Sequence, residues 1–154
     1  MEPLVSLIEP RLYRKIFSRI PIVCVDLIIR HKGYILLVKR KNHPLRGEWW
    51  VVGGRLLLHE DPIDAVHRKA KEEVGIEVSD PSFVAYLSDV YPRNSFERVE
   101  YQTVSLVFEC EALQTDITLD SQSSEYKWSV YLPERFLDKL KWCERGDWQY
   151  DPVR

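Results

Sequence analysis

Between residues 53 and 76 the chain gathers glycines, carboxylates and cations at spacings that suit chemistry. Gly53-Gly54-Arg55 comes first, then Glu60, then Arg68-Lys69-Ala70-Lys71-Glu72-Glu73. Asp61-Pro62 has the form of a helix start, with aspartate as cap and proline in the first turn. Ile63, Val66, Ala70 and Val74 fall on one apolar stripe of that helix, and Gly75 ends it as a C-terminal cap. The other side presents Arg68, Lys69, Glu72 and Glu73. Positions three and four apart share a helix face, so 69, 72 and 73 converge and 68 lies above 72. Adjacent carboxylates repel each other unless a cation sits between them. A hard cation such as Mg²⁺ or Mn²⁺ takes carboxylate, carbonyl and water oxygens and bridges to phosphates. Paired glycines let the backbone approach a ligand and offer a carbonyl to the metal. Taken singly, a Lys-x-x-Glu-Glu helix end is a solvated face and a Gly-Gly pair is a turn. Together, at this spacing, they describe a metal-and-diphosphate site.

The surrounding pattern supplies elements to position these groups. Pro10 to Arg19 reads as a short basic amphipathic helix, with Leu12, Ile16 and Phe17 at helical spacing. Residues 21 to 30 are rich in Val and Ile and read as a strand, Lys32-Gly33 as a turn, and Tyr34 to Lys39 as the returning strand. His43-Pro44 opens a loop ending near Gly47. Trp49 to Val52 is a short apolar strand running into the glycine pair, and Leu56 to Leu58 another. Residues 82 to 91 and 99 to 111 read as two long strands around a polar loop, Arg93 to Arg98. Residues 124 to 130 are a further strand, and Pro133 to Leu140 a closing helix. Strands, helix, strands, helix imply an α/β domain with a mixed β-sheet between helices. No repeat or linker interrupts it, so residues 1–154 read as a single domain.

Composition narrows the setting. With 45% apolar and 30% charged residues, the chain is that of an ordinary soluble protein. No stretch reaches the roughly 20 apolar residues that span a bilayer, and Met1-Glu2-Pro3 opens no secretory signal. Cys24, Cys110 and Cys143 are far apart and odd in number, which points to a reducing, cytoplasmic compartment. Cys24 and Cys110 lie in strand-like runs and read as small buried hydrophobes. A net charge of −2 gives no electrostatic reason for a nucleic-acid partner.

The run from residue 53 to 76 resembles the Nudix box: Gly, five residues, Glu, seven residues, Arg-Glu, an aliphatic, any, Glu-Glu, any, Gly, an aliphatic. Here Gly54 is followed by Glu60 and then by Arg68-Lys69-Ala70-Lys71-Glu72-Glu73-Val74-Gly75-Ile76. Ala70 is a permissive match, and Lys69 stands where the family has glutamate. The resemblance implies a Nudix fold over most of the chain and a nucleotide hydrolase dependent on Mg²⁺ or Mn²⁺. The family's glutamate at that position commonly ligates metal or acts as base. Lysine instead places an ammonium among the carboxylates, where it can pair with Glu73, lower metal affinity and hinder a multi-metal centre.

A narrower resemblance is to the GDP-mannose mannosyl hydrolase branch. It is carried by Lys39-Arg40-Lys41-Asn42-His43-Pro44 and by Gly47-Glu48-Trp49-Trp50-Val51-Val52-Gly53-Gly54-Arg55. That branch also departs from the full box at the position of Lys69. It uses one divalent metal and cleaves the glycosyl C–O bond rather than a P–O bond. The resemblance implies that Arg40 and Arg55 stabilise the leaving diphosphate, where charge develops in the transition state. It assigns Asp26 to the substrate, with Arg68 as a further binding candidate. It makes Gly53 and Glu73 metal ligands, with Glu72 an additional candidate and Gln122 a further ligand. Where the branch has its basic histidine this chain has Ser123, which cannot act as a base near neutral pH. No histidine follows His67. Glu125 is then the catalytic candidate, with Glu97 and Glu100 behind it, each also readable as a surface carboxylate. His43 is the histidine nearest the substrate loop. Trp49, Trp50, Tyr91 and Phe96 could stack on a base or simply fill the core.

These expectations describe a hydrolase of a nucleoside diphosphate sugar. A pyrophosphohydrolase of a nucleoside triphosphate or diphosphate derivative is the alternative on the same scaffold. A weakly active nucleotide-binding module is a third possibility, given Lys69 and Ser123. The branch implies a homodimer, with residues 1–19 and the tail at 142–154 as an interface or a lid over the substrate.

Overall fold

The computed structural model describes residues 8–93 and 98–143. Phe96 and Glu97, and the tail aromatics Trp148 and Tyr150, lie outside the described residues.

The chain opens with helix α1 (Pro10–Phe17), capped by Glu9, whose carboxylate accepts from the amides of Arg11 and Leu12 at 3.1 Å each. Strand β1 (Ile22–His31) turns back at Lys32-Gly33 into β2 (Tyr34–Arg40). Both turn residues have positive φ, 49° and 84°, the conformation of a two-residue hairpin matched to strand twist. After a loop come β3 (Trp49–Trp50) and β4 (Val52–Arg55), then helix α2 (Pro62–Val74). Strands β5 (Ser82–Tyr91), β6 (Tyr101–Glu111) and β7 (Ser123–Ser129) follow. The described chain closes with helix α3 (Glu134–Lys139) and strand β8 (Leu140–Cys143).

The strands form one mixed sheet ordered β3-β2-β1-β6-β5-β8, with β7 on β2 and β4 on β1. β1 lies parallel to β6 from Ile22↔Thr103 to Arg30↔Glu111. Its other edge is shared. The end at Arg30 and His31 pairs with β2, and Cys24 to Leu27 pair antiparallel with Arg55 to Val52 of β4.

Alternation along β1 divides the core. Val25, Leu27 and Ile29 pack with Ala65, Val66, Ala70 and Val74 of α2 on one face. Ile28 packs with Val84, Leu87 and Phe136 of α3 on the other. The sheet is thus held between two helices, as the element order implied.

Local expectations and structure part in a few places. The run from Trp49 is not one strand: Trp49 and Trp50 pair with β2, and Val52 onward pairs with β1. Leu56 to Leu58 form no strand, because the Leu57 amide donates to Glu60 Oε2 at 2.9 Å and the chain turns toward α2. The closing helix stops at Lys139, and Leu140 begins β8 against β5, where a tail was expected to follow. Ile63, placed on the apolar stripe, is 46% exposed.

Candidate active site

Helix α2 begins where the Asp61 carboxylate accepts from the Ile63 amide at 2.8 Å with Pro62 in the first turn. It ends at Gly75, whose φ of 71° is the left-handed cap conformation. The length between these stops sets Arg68, Lys69, Glu72 and Glu73 beside the glycines of β4. The register puts Gly53 opposite Asp26 and Gly54 opposite Val25. Position 53 admits no side chain, and one at position 54 would have to displace the Lys69 side chain. A Cβ at residue 53 would strike the Asp26 carboxylate and the Val25 carbonyl, and one at residue 54 would lie 2.6 Å from Lys69 Cε.

These elements border a cleft of about 510 Å³. Ile22, Cys24 and Asp26 line it, the same face of β1 that carries Ile28. Arg40, Gly53 and Arg55 reach it from β2 and β4, and Arg68, Lys69 and Glu72 from α2. Gln122 closes the set from the start of β7.

Arg68 is the brace of the box. Its guanidinium binds the Glu60 carboxylate, Glu72 Oε2 at 3.0 Å and the Arg55 carbonyl at 3.0 Å. The hydrogen bond from Arg68 holds Glu60 below the usual carboxylate range. Arg68 therefore ties helix, loop and strand together, whatever it also offers a substrate.

Lys69 and Glu73 do not face solvent, as helical periodicity had suggested; their side chains are 9% and 8% exposed. Lys69 Nζ lies 2.6 Å from Glu73 Oε1 and 3.7 Å from Glu72 Oε2. The expected i,i+4 pair is thus formed, and the lysine stem is buried against Gly54. Glu73 Oε2 also accepts from the Gly53 amide at 3.5 Å. Burial pushes the Glu73 carboxyl up despite the Lys69 ammonium beside it.

Asp26 is not an edge residue facing water. It sits in a strand paired on both sides and is 7% exposed. Burial pushes its carboxyl up to about 7, with Glu73 adding to the rise and the Ser105 hydrogen bond and Arg40 opposing it. Arg40 donates from Nε to the Pro44 carbonyl at 2.9 Å, which fixes the loop over the cleft. Arg55 lies 4.5 Å from the Tyr13 ring, a cation–π contact between β4 and α1.

Other candidates fall elsewhere. Glu125 pairs with Lys39 at 3.0 Å, its side chain is 57% exposed, and it does not line the cleft. Glu100 is exposed, and Ser123 is buried. His43 borders the cleft, whereas His31 packs on Trp128. Trp50 and Tyr91 border the cleft while also packing on Phe136 and Tyr101. Trp49 lies beneath the Lys127 ammonium, 4.3 Å from its ring centre. Cys110 is buried as expected, but Cys24 is only partly covered, being open to the cleft.

Sequence reasoning missed the wall made by Tyr13, Phe17 and Tyr101. Tyr13 and Phe17 stand four apart on α1 and meet edge to face at 4.8 Å. That spacing was visible; its partner on β6 was not.

The donors expected from the sequence are the Gly53 carbonyl, the Glu72 and Glu73 carboxylates and the Gln122 amide oxygen. All are hard oxygens, which suits a divalent cation of the Mg²⁺ or Mn²⁺ kind. Among the described residues no three acidic, histidine or cysteine side chains cluster. Gly53, Glu72 and Gln122 border the cleft, whereas Glu73 is paired with Lys69.

Comparison with known proteins agrees with this architecture. Residues 19–146 match the model of the NUDIX domain. The low-salt glycan biosynthesis protein Agl8 of Haloferax volcanii is 34% identical over 138 residues, 83% of this chain and 87% of that protein. The nucleoside triphosphatase NudI of Salmonella agona is 26% identical over 120 residues, 70% of this chain and 79% of that protein. Among solved structures, the MutT NUDIX hydrolase of Burkholderia pseudomallei superposes with a TM-score of 0.64 at 25% identity, over 80% of this chain and 88% of that one. With its box on α2, its mixed sheet between helices and a family match over most of its length, the chain belongs to the NUDIX domain family and is a Nudix hydrolase.

Proposed function

We propose that this hydrolase acts on a nucleoside diphosphate sugar of the GDP-mannose kind, with one divalent cation, and breaks the glycosyl C–O bond. The observation that carries this is the charge arrangement of the cleft. Arg40, Arg55 and Lys69 border it together, and the position that would add a fourth carboxylate to the box holds an ammonium. This arrangement supports the reading because a departing diphosphate gains charge as the sugar bond breaks. It favours less a multi-metal attack on phosphorus.

In the proposed reaction a water oxygen bonds to the anomeric carbon. The C–O bond to the diphosphate breaks, and the nucleoside diphosphate leaves with the bonding pair. Arg40 and Arg55 hold the leaving group. The proton released by water passes to a base, and Asp26, on the cleft wall beside Arg40, is the group we assign to hold it. Glu125, favoured from the sequence, is turned to Lys39 outside the cleft. Gly53, Glu72, Glu73 and Gln122 are the residues that would hold the cation, which when bound neutralises diphosphate charge. A relative named for glycan biosynthesis agrees with a sugar-containing substrate.

Phosphorus attack is the second reading, favoured by the relative named as a nucleoside triphosphatase. Hydrolysis of GDP-mannose and other sugar nucleotides in ¹⁸O-water, with Mg²⁺ or Mn²⁺, separates the two. Label in the sugar supports the proposal, and label in phosphate overturns it. Retained nucleotide binding with no turnover across a broad panel would leave a binding module instead.

A further inference from the structure

We propose that Lys69 is a tethered cation that itself binds the diphosphate of the substrate, doing in this chain part of what a second metal ion would do. The inference rests on the reading that the cleft takes a diphosphate and one divalent cation. It is independent of which bond is then broken.

Lys69 is an unusual residue to find where it is. Its side chain is 9% exposed, yet it borders the cleft. Its ammonium lies against the bare backbone of Gly54, 2.9 Å from where a Cβ would stand. Two carboxylates face it, Glu73 at 2.6 Å and Glu72 at 3.7 Å. An ammonium carries three N–H donors. Glu73 and Glu72 can take at most two in this arrangement, and Glu72 only loosely. The third is left for an acceptor arriving in the cleft.

The surrounding charge makes that acceptor an anion. Glu73 is neutralised by Lys69 and Glu72 is shared with Arg68. Arg40 and Arg55 border the same space with no carboxylate ion pair among the described salt bridges. The cleft lining carries Arg40, Arg55, Arg68 and Lys69 against Asp26 and Glu72, a surplus of cations that a diphosphate suits. Gly54 allows the approach, because any side chain there would displace the lysine stem. A lysine is a point charge without bidentate geometry, so it suits a position between two phosphates, with the arginine forks on their outer oxygens.

The test needs no turnover. Inorganic pyrophosphate binding is measured by calorimetry in EDTA, and Mn²⁺ binding alone is counted by electron paramagnetic resonance, in wild type, Lys69→Met, Lys69→Gln and Lys69→Glu. Thermal melts select the variants that fold, and either neutral variant suffices. Expected are a roughly tenfold loss of metal-free pyrophosphate affinity in Met or Gln, one Mn²⁺ per wild-type chain, and a second Mn²⁺ in Glu. Neutral variants that bind pyrophosphate as wild type does overturn the role of Lys69 alone. Two Mn²⁺ ions in the wild type do the same. A wild type that binds no pyrophosphate in EDTA overturns this role, one that binds none even with Mn²⁺ present overturns the diphosphate reading of the cleft as well, and the ¹⁸O result touches only the bond that is cleaved.

Discussion

Asp26 shows how one buried carboxyl ties stability to pH. Its ordinary value of 3.8 rises to about 7 in the fold, chiefly because burial penalises the charged form. The native chain therefore keeps a proton that the unfolded chain has released. Stability from this group is full below about 4 and is lost as pH rises through about 7. Urea unfolding of the metal-free protein at several pH values checks this. Wild type should weaken across that window relative to Asp26→Asn, and parallel curves for the two would refute the assignment. Lys69 carries the complementary lesson about legibility. Its type and spacing were plain in the sequence, and so was its pairing with Glu73. Its burial was not, because a lysine stem can be covered while its head stays polar, and periodicity alone places such a residue outward. Glu125 failed in the opposite way. Its distance from the glycines in sequence says nothing about Lys39, which lies directly across the β2–β7 ladder.

At the scale of elements, helix α2 is the part whose limits were legible. Asp61, Pro62 and Gly75 each act through local backbone chemistry, so no distant partner is needed to place them. Asp61→Ala should cost about 1 kcal/mol in denaturant unfolding, with activity per folded molecule little changed. A loss of activity out of proportion to stability would mean that the cap also tunes the box. The strand from Trp49 was half legible. Its apolar run announced pairing, but not that Trp49-Trp50 would join β2 and Val52 to Arg55 would join β1. That split depends on which edges remain open elsewhere in the sheet. Strand β8 went unseen for a similar reason, since Leu140 continues the helical pattern and only the edge of β5 draws it straight.

At the scale of the molecule, α1 leaves apolar side chains uncovered among the described residues. Leu12 is 52% exposed and Ile16 36%, while Phe17 is buried. We propose that a second copy covers this face, in keeping with the dimer expected from the resemblance. Light scattering after size exclusion should give the mass of two chains, and Leu12→Glu should give that of one. A monomeric wild type at micromolar concentration would end the idea. No described helix is long and apolar enough to cross a membrane.

The parallel pairing of β1 with β6 has a consequence for how the molecule comes into being. It joins residues some eighty positions apart, and Asp26 is fixed only when that ladder and the β4 ladder have both closed. Contacts of such long sequence separation form late and together, because loop closure must precede any gain from them. The proposed site groups, drawn from β1 to the residue before β7, are brought together only by these closures, although α2 with its own charged residues is set locally. A chain that has formed α2 alone holds the box but not the opposite wall of the cleft, so turnover in a refolding mixture should lag behind helix formation.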